Sequence, residues 1–140
     1  MRFLTLDSSI IIAALREQEE KHDICLGVLE KIKNGEYIAI EPYIVLVEVT
    51  AAIRRRTGSK KLAEKVRFYL KDIDSIHFLE LESYRAEEAS KVAEELSVRR
   101  MNAIVIQIAK EFNSVLLTLD NEMAEKAKDF VYIGKIEEFL

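Results

Sequence analysis

Two aspartates in this chain close the same four-residue stretch. Leu4-Thr5-Leu6-Asp7 and Leu117-Thr118-Leu119-Asp120 each end a short apolar run, and each precedes a polar pair and a helix-like segment. Read as strand ends, they put one carboxylate at each of two strand termini. In an open parallel sheet, ligands gather outside the carboxyl ends of the strands, where the strand order reverses. If these two strands are neighbours across that reversal, Asp7 and Asp120 converge. Two carboxylates at close range repel, and near neutral pH they stay ionised when a cation neutralises them. Mg²⁺ suits such a pair, because it takes oxygen ligands and needs only one or two carboxylates, keeping waters elsewhere. The plainer role for either aspartate alone is a helix N-cap, which Asp fills well.

Glu48 is the third acid. It sits in the run YIVLVEVTAAI, where every neighbour from Ile44 to Ile53 is apolar or small except Thr50. A helix apolar almost all round leaves few solvated positions, and an unpaired carboxylate is costly to bury. Glu48 is therefore expected to have a role rather than merely to face solvent. The cations are grouped as Arg54-Arg55-Arg56, Lys60-Lys61, Lys65 and Arg67, with Arg99-Arg100 further on. Such runs are usually solvated faces, and at a helix C-terminus cations also complement the dipole. Around an acidic centre they would neutralise phosphates instead. No Ser/His/Asp or Cys/His nucleophilic set is visible. His22 and Cys25 could share a helix face, but two ligands make a poor zinc site. Cys25 reads as core, His22 as surface and His77 as an ordinary strand residue.

The elements that must position these residues alternate. Strands are expected at residues 2–6, 36–40, 76–81, 114–119 and 130–133. Helices are expected at 8–20, at 22–34 with an Asn34-Gly35 stop, and from Pro42 in a first turn to Gly58. Further helices follow at 60–72, 84–97, 102–112 and 121–128, with a closing turn in KIEEFL. In the 60–72 helix, Leu62, Val66, Phe68, Tyr69 and Ile73 are the apolar positions. This alternation argues for an α/β fold with three α/β/α layers and a mostly parallel sheet of about five strands. No linker or tandem repeat divides the 140 residues, so residues 1–140 read as a single domain.

Composition narrows the setting. Hydrophobic residues make up 49% of the chain, enough for a sizeable core. A net charge of -4 argues against a generally sticky nucleic-acid binder, though not against a local basic patch. The single cysteine, Cys25, excludes a disulfide framework and fits a reducing cytoplasm. Neither a signal peptide nor a membrane-spanning run is visible, so a cytoplasmic protein without membrane association is expected. The surplus of Glu, Lys and Arg over Gln hints at a thermophilic source.

LDSSIIIAAL with Asp7, VEVTAAIRR with Glu48 and LLTLDNEMAEKA with Asp120 together resemble the PIN domain family, and most of all its VapC-type toxin ribonucleases. The resemblance covers nearly the whole chain. It implies a metal-dependent endoribonuclease that gathers Asp7, Glu48 and Asp120 around Mg²⁺ or Mn²⁺. Ser9 matches the small hydroxyl residue that follows the first acid. The resemblance also implies an RNA substrate such as tRNA or ribosomal RNA, a homodimer, and an antitoxin partner that occupies the acidic groove. Arg99 and Arg100, then Arg54 and Arg55, are the RNA-binding candidates.

The chain departs from the family pattern at one position. Where the family carries an acid at the start of the helix before the fourth strand, MNAIVIQIA carries Asn102. Asn offers a carbonyl oxygen but no charge. Three readings follow: a weaker nuclease, a nuclease in which Glu122 supplies the missing charge, or a module that binds RNA or a protein without turnover. The modest role for Asn102 is an N-cap. A phosphoacceptor domain with Lys135 as its switch lysine is a further alternative, opposed by Glu48 and by the lack of paired acids after the first strand.

Overall fold

The computed structural model describes residues 2–140. In chain order the elements are β1 (Arg2–Leu6), α1 (Ser8–Leu15), α2 (His22–Lys33), β2 (Tyr37–Pro42), α3 (Tyr43–Thr57) and α4 (Lys60–Lys71). They continue with β3 (Ile76–Leu79), α5 (Ser83–Leu96), α6 (Arg100–Phe112), β4 (Val115–Leu117), α7 (Asn121–Ala127) and a closing 3₁₀ turn, Ile136–Phe139. The four strands form one sheet in the order β3-β2-β1-β4. Every pairing is parallel. The chain winds outward from β1 through β2 to β3, then returns to lay β4 on the other side of β1. The order thus reverses between β1 and β4.

Helices cover both faces, which is why the central strands are largely apolar on both sides. Leu4, Leu6, Ala39, Leu116 and Leu117 are wholly buried. Helix α6 lies on β1 and β2 and pairs with α5, while α1 packs with α2 and α3, and α3 with α4. This is the α/β/α layering expected from the sequence. No helix among the described residues is long and apolar enough to cross a membrane.

Several expectations shift, each for a local reason. The fifth strand shrinks to a single bridge from Ile133 to Leu116. The amides of Phe130 and Val131 both bond the Ala127 carbonyl, so the first half of that segment stays in the last turn of α7. Helix α1 ends at Leu15 instead of running to residue 20. Residues 16–21 carry no apolar side chain, and a short helix needs a packed face to persist. In α4 the buried stripe is Ala63, Val66 and Leu70, whereas Leu62, Phe68 and Tyr69 are exposed. Pro42 is the last residue of β2 and the N-cap of α3 rather than its first turn. Gly58 does close α3, with φ of 71° in the left-handed region that glycine enters without penalty.

Candidate active site

Asp7 follows β1 at the reversal point and is 7% exposed. It occupies the N-cap position of α1, yet its side chain makes no capping bond. Two hydroxyls take its carboxylate instead. Ser9 Oγ donates to Asp7 Oδ2 at 2.8 Å, and Thr118 Oγ1 donates to the same oxygen at 2.9 Å. Oδ1 receives no hydrogen bond among the described residues. Both hydroxyls are themselves fixed by backbone amides. Leu119 N donates to Ser9 Oγ at 3.1 Å, and Asp120 N donates to Thr118 Oγ1 at 3.0 Å. The Asp7 carboxylate is therefore held by neutral donors, and no cationic side chain pairs with it among the described residues.

Thr118, which the sequence reading did not single out, stands where Asp120 was expected. The register explains it. Leu6 is level with Leu117, so one step further Asp7 is level with Thr118. The two LTLD stretches are neighbours, as expected, but they are offset by two residues. Asp120 lies beyond the end of β4 and caps α7, accepting from Met123 N through Oδ1 at 3.1 Å. Its other oxygen remains free for a second task, and the side chain is exposed.

Glu48 projects from α3 toward the first turn of α1 and is half-buried. Burial raises its carboxyl above the ordinary value, the nearby Ser8 hydroxyl lowers it, and the negative charge of Asp7 raises it. Glu48 forms no ion pair among the described residues. The covering of α3 is less complete than its composition implies, since Tyr43 and Val47 are exposed. Beneath this pair lies Glu41 on β2, an acid the sequence reading passed over. It is wholly buried, and its Oε2 accepts from Leu6 N at 2.7 Å. Burial drives its carboxyl well above the usual range, the Leu6 amide opposes this, and Asp7 adds to it.

Asn102, Asp120 and Glu122 meet in a neighbouring cleft of about 170 Å³, together with Arg99 and Lys126. Helix α6 starts two residues earlier than expected, with Arg99 at its N-cap, so Asn102 sits in the first turn and is not a cap. Glu122 reaches this cleft, but its carboxylate pairs with Lys126 Nζ at 3.1 Å. That pairing offsets the charge it would lend. Arg99 and Arg100 stand at the N-terminus of α6, where the helix dipole disfavours cations. The dipole therefore does not account for them, as it does for Arg54, Arg55 and Arg56 in the last turn of α3. Arg56 pairs with Glu19 at 2.7 Å, while Arg54, Arg55, Arg99 and Arg100 form no ion pair among the described residues.

Cys25 is core, as read from the sequence. His22 is partly buried rather than a free surface residue, its Nδ1 lying 2.8 Å from the Ala13 carbonyl. Lys135 is exposed at the start of the closing turn.

The donor chemistry around Asp7 suits a hard divalent cation. Every group is an oxygen, the charge of Asp7 raises the neighbouring Glu48 carboxyl, and Asp7 Oδ1 is free to ligate. Three acidic, histidine or cysteine side chains do not close on one point among the described residues. The arrangement matches Mg²⁺ or Mn²⁺ held by one or two carboxylates with waters completing the shell, and not an all-protein cage.

A parallel α/β sheet with carboxylates drawn to its reversal point defines an α/β domain with an acidic centre. The chain belongs to the PIN domain family, whose model matches residues 4–129. Solved structures share the fold across nearly the whole chain. VapC20 of Mycobacterium tuberculosis, a sarcin-ricin-loop-cleaving toxin, is 13% identical with a TM-score of 0.75, over 94% of this chain and 99% of that one. VapBC-1 of nontypeable Haemophilus influenzae is 15% identical with a TM-score of 0.68, over 96% and 98%. DNA-bound VapBC of Salmonella typhimurium is 17% identical with a TM-score of 0.68, over 97% and 99%. At these identities the likeness is one of fold. No curated protein matches the chain in sequence.

Proposed function

We propose that this chain is a metal-dependent endoribonuclease and the toxin of a toxin–antitoxin pair. The observation that carries the reading is Asp7: a buried carboxylate at the reversal point, clamped by two hydroxyls on one oxygen and bare on the other, with Glu48 beside it. Asp7, Glu48 and Asp120 would hold Mg²⁺ or Mn²⁺, directly or through water. The bound ion would lower the pKa of a water and neutralise charge building on the phosphate. The chain's own part is positioning. Ser9 and Thr118 keep the Asp7 carboxylate aimed, each through a hydrogen bond to the same oxygen. Arg99 and Arg100, with Arg54 and Arg55 further out, would anchor RNA phosphates near the acids. Asn102 presents an amide to the same cleft and adds no charge.

The VapBC complexes among the structural neighbours support an antitoxin partner. So does the groove between α3 and α4, floored by Leu46, Val47, Ala51 and Ala63 and rimmed by Arg54, Lys60, Glu64 and Arg67. An amphipathic segment fits such a surface. The exposed apolar residues Leu62, Phe68 and Tyr69 on α4 suit a homodimer or partner contact. A tRNA or ribosomal RNA is the expected substrate, in the cytoplasm.

Asn102 favours a second reading, a module that binds RNA or protein without turnover. One experiment separates the two. The purified chain, Asp7→Ala and Asn102→Asp are incubated with a mixed tRNA and ribosomal RNA pool in Mg²⁺ or Mn²⁺. Cleavage that disappears in EDTA and in Asp7→Ala supports the nuclease. Cleavage only by Asn102→Asp means a silenced site on an intact scaffold, and none by any folded version overturns the nuclease reading.

A further inference from the structure

A second crevice adjoins the Asp7 clamp, and the site described above does not use it. It encloses about 610 Å³ beyond the carboxyl end of β4, and Thr118 and Leu119 form one wall. These two residues also hold the clamp. Thr118 Oγ1 donates to Asp7 Oδ2, and Leu119 N donates to Ser9 Oγ. An occupant of the crevice therefore lies one side chain away from the Asp7 carboxylate.

Two chain segments build the crevice by parting. Residues 132–134 run along β4, with Leu116 N donating to the Tyr132 carbonyl at 2.9 Å and Gly134 N donating to the Leu116 carbonyl at 3.0 Å. Glycine allows this approach, since a Cβ at position 134 would fall 2.6 Å from Val115 Cγ1 and 2.9 Å from Phe139 Cε2. At Lys135 the chain turns off toward the closing 3₁₀ turn, while the other segment runs on through Thr118 and Leu119 to α7. The carboxyl ends of parallel strands are where α/β sheets take ligands.

The lining selects against an anion. Lys21 and Lys135 are matched by Glu20 and Glu137, and the third acid, Glu19, already pairs with Arg16 and Arg56. No surplus cation remains to draw a phosphate, in contrast to the α6 side with Arg99 and Arg100. Between these charges stand the half-buried side chains of Leu119 and Ile133 and the exposed amide of Asn121. Such walls suit a flat, uncharged group with hydrogen-bonding atoms on its rim, and the volume is that of a small-molecule site. A nucleobase is such a group. Proteins that read single-stranded RNA seat splayed bases against side chains and hydrogen-bond their edges. An Asn amide carries a donor and an acceptor side by side, and so spans two neighbouring atoms of a base edge.

We propose that this crevice receives the unstacked base of the nucleotide next to the scissile phosphate, with Leu119 and Ile133 against its faces and Asn121 reading its edge. Asn121 thereby sets which base stands beside the cut. The inference rests on the nuclease reading of the preceding section: Asp7 marks where the phosphate is cut, and the crevice opens one side chain away.

The test is amide NMR on the full chain in EDTA, with AMP, GMP, CMP and UMP as probes and ribose 5-phosphate as the control. At least one nucleotide should shift the backbone amides of Leu119, Ile133 and Gly134 and the side-chain amide of Asn121. Asn121 is exposed, so Asn121→Ala should keep the fold. It should bind that nucleotide at least about fivefold more weakly, the lower end of one bidentate amide–base pair. In the mixed RNA digest, Asn121→Ala should relax the base preference beside the cut. The inference is overturned if no nucleotide moves these amides. It is overturned if ribose 5-phosphate moves them equally, since the phosphate alone is then bound. Binding to Asn121→Ala within about twofold of the unmodified chain, or an unchanged preference beside the cut, also overturns it. RNA cleavage without nucleotide binding at this crevice defeats only this inference. Nucleotide binding without any Asp7-dependent cleavage defeats the reading beneath it, and the crevice's part in choosing the cut falls with it.

Discussion

Thr118→Val removes one hydroxyl and little else, and it tests whether the clamp on Asp7 matters. The hydroxyl makes two bonds, donating to Asp7 Oδ2 at 2.9 Å and accepting from Asp120 N at 3.0 Å. A hydrogen bond to a charged group contributes about 1.5–3 kcal/mol, and a neutral one about 0.5–1.5 kcal/mol. Thr118 is partly exposed, so water replaces part of each, and a net loss of about 1–2 kcal/mol is expected. Ser9 still holds Asp7 at 2.8 Å, so the fold should survive. If about 1.4 kcal/mol of that loss falls on the aim of Asp7, Mn²⁺ affinity drops about tenfold. Urea unfolding in EDTA gives the first quantity, and calorimetric Mn²⁺ titration gives the second. Thr118→Ser, which retains the hydroxyl, should remain near the unmodified chain in both. The reasoning fails if Thr118→Val binds Mn²⁺ normally, because the clamp is then structural only. It also fails if Thr118→Ser falls as far, because the lost methyl would then be the cause.

Other consequences follow from groups already placed. Replacing Arg99 and Arg100 by Ala in an Asp7→Ala background should weaken RNA binding and flatten its dependence on log salt by about 0.7 for each phosphate no longer neutralised. An unchanged slope would remove both arginines from the substrate path. Cys25 is buried, its thiol raised to about 11, foremost by burial. Only about one thiol in ten thousand is then ionised at neutral pH, and labelling by a disulfide reagent should proceed at the rate of unfolding. Prompt labelling in the absence of denaturant would contradict that packing. Arg85 bonds both oxygens of Glu111, which Gln107 also reaches at 2.9 Å, and this lowers the Glu111 carboxyl from 4.5. A carboxyl depressed in the folded state adds stability above its unfolded value and loses it as pH falls through the folded one. Glu111→Gln should therefore cost about 0.5–1 kcal/mol at neutral pH and less in acid. A difference that does not change between neutral and acid unfolding curves would refute the pairing.

The elements were legible wherever local chemistry decides them. Apolar runs mark β1, β2 and β4, and Gly58 ends α3 because only its backbone enters the left-handed region there without strain. Legibility failed where a partner decides. Phe68 and Tyr69 are the aromatic residues of α4, yet the helix buries Ala63, Val66 and Leu70, the stripe that meets its neighbours. Residues 130–133 have strand composition, but the turn after α7 holds their first amides and leaves one bridge.

The site divides along the same line. Residue type and order expose Asp7, Glu48 and Asp120 as candidates, because acids beside apolar runs demand an account. Register is not written in types. The repeated LTLD reads as two equivalent strand ends, and a two-residue offset makes them unequal: one carboxylate is clamped, the other caps a helix, and a threonine between them does the clamping. Glu41 was hidden differently. An acid next to Pro42 reads as a turn residue, and only the early end of the β1–β2 ladder turns its side chain into a substitute for backbone. Where the β1–β2 ladder stops, the peptide group freed from the sheet is answered by a side chain, and a carboxylate answers it most strongly.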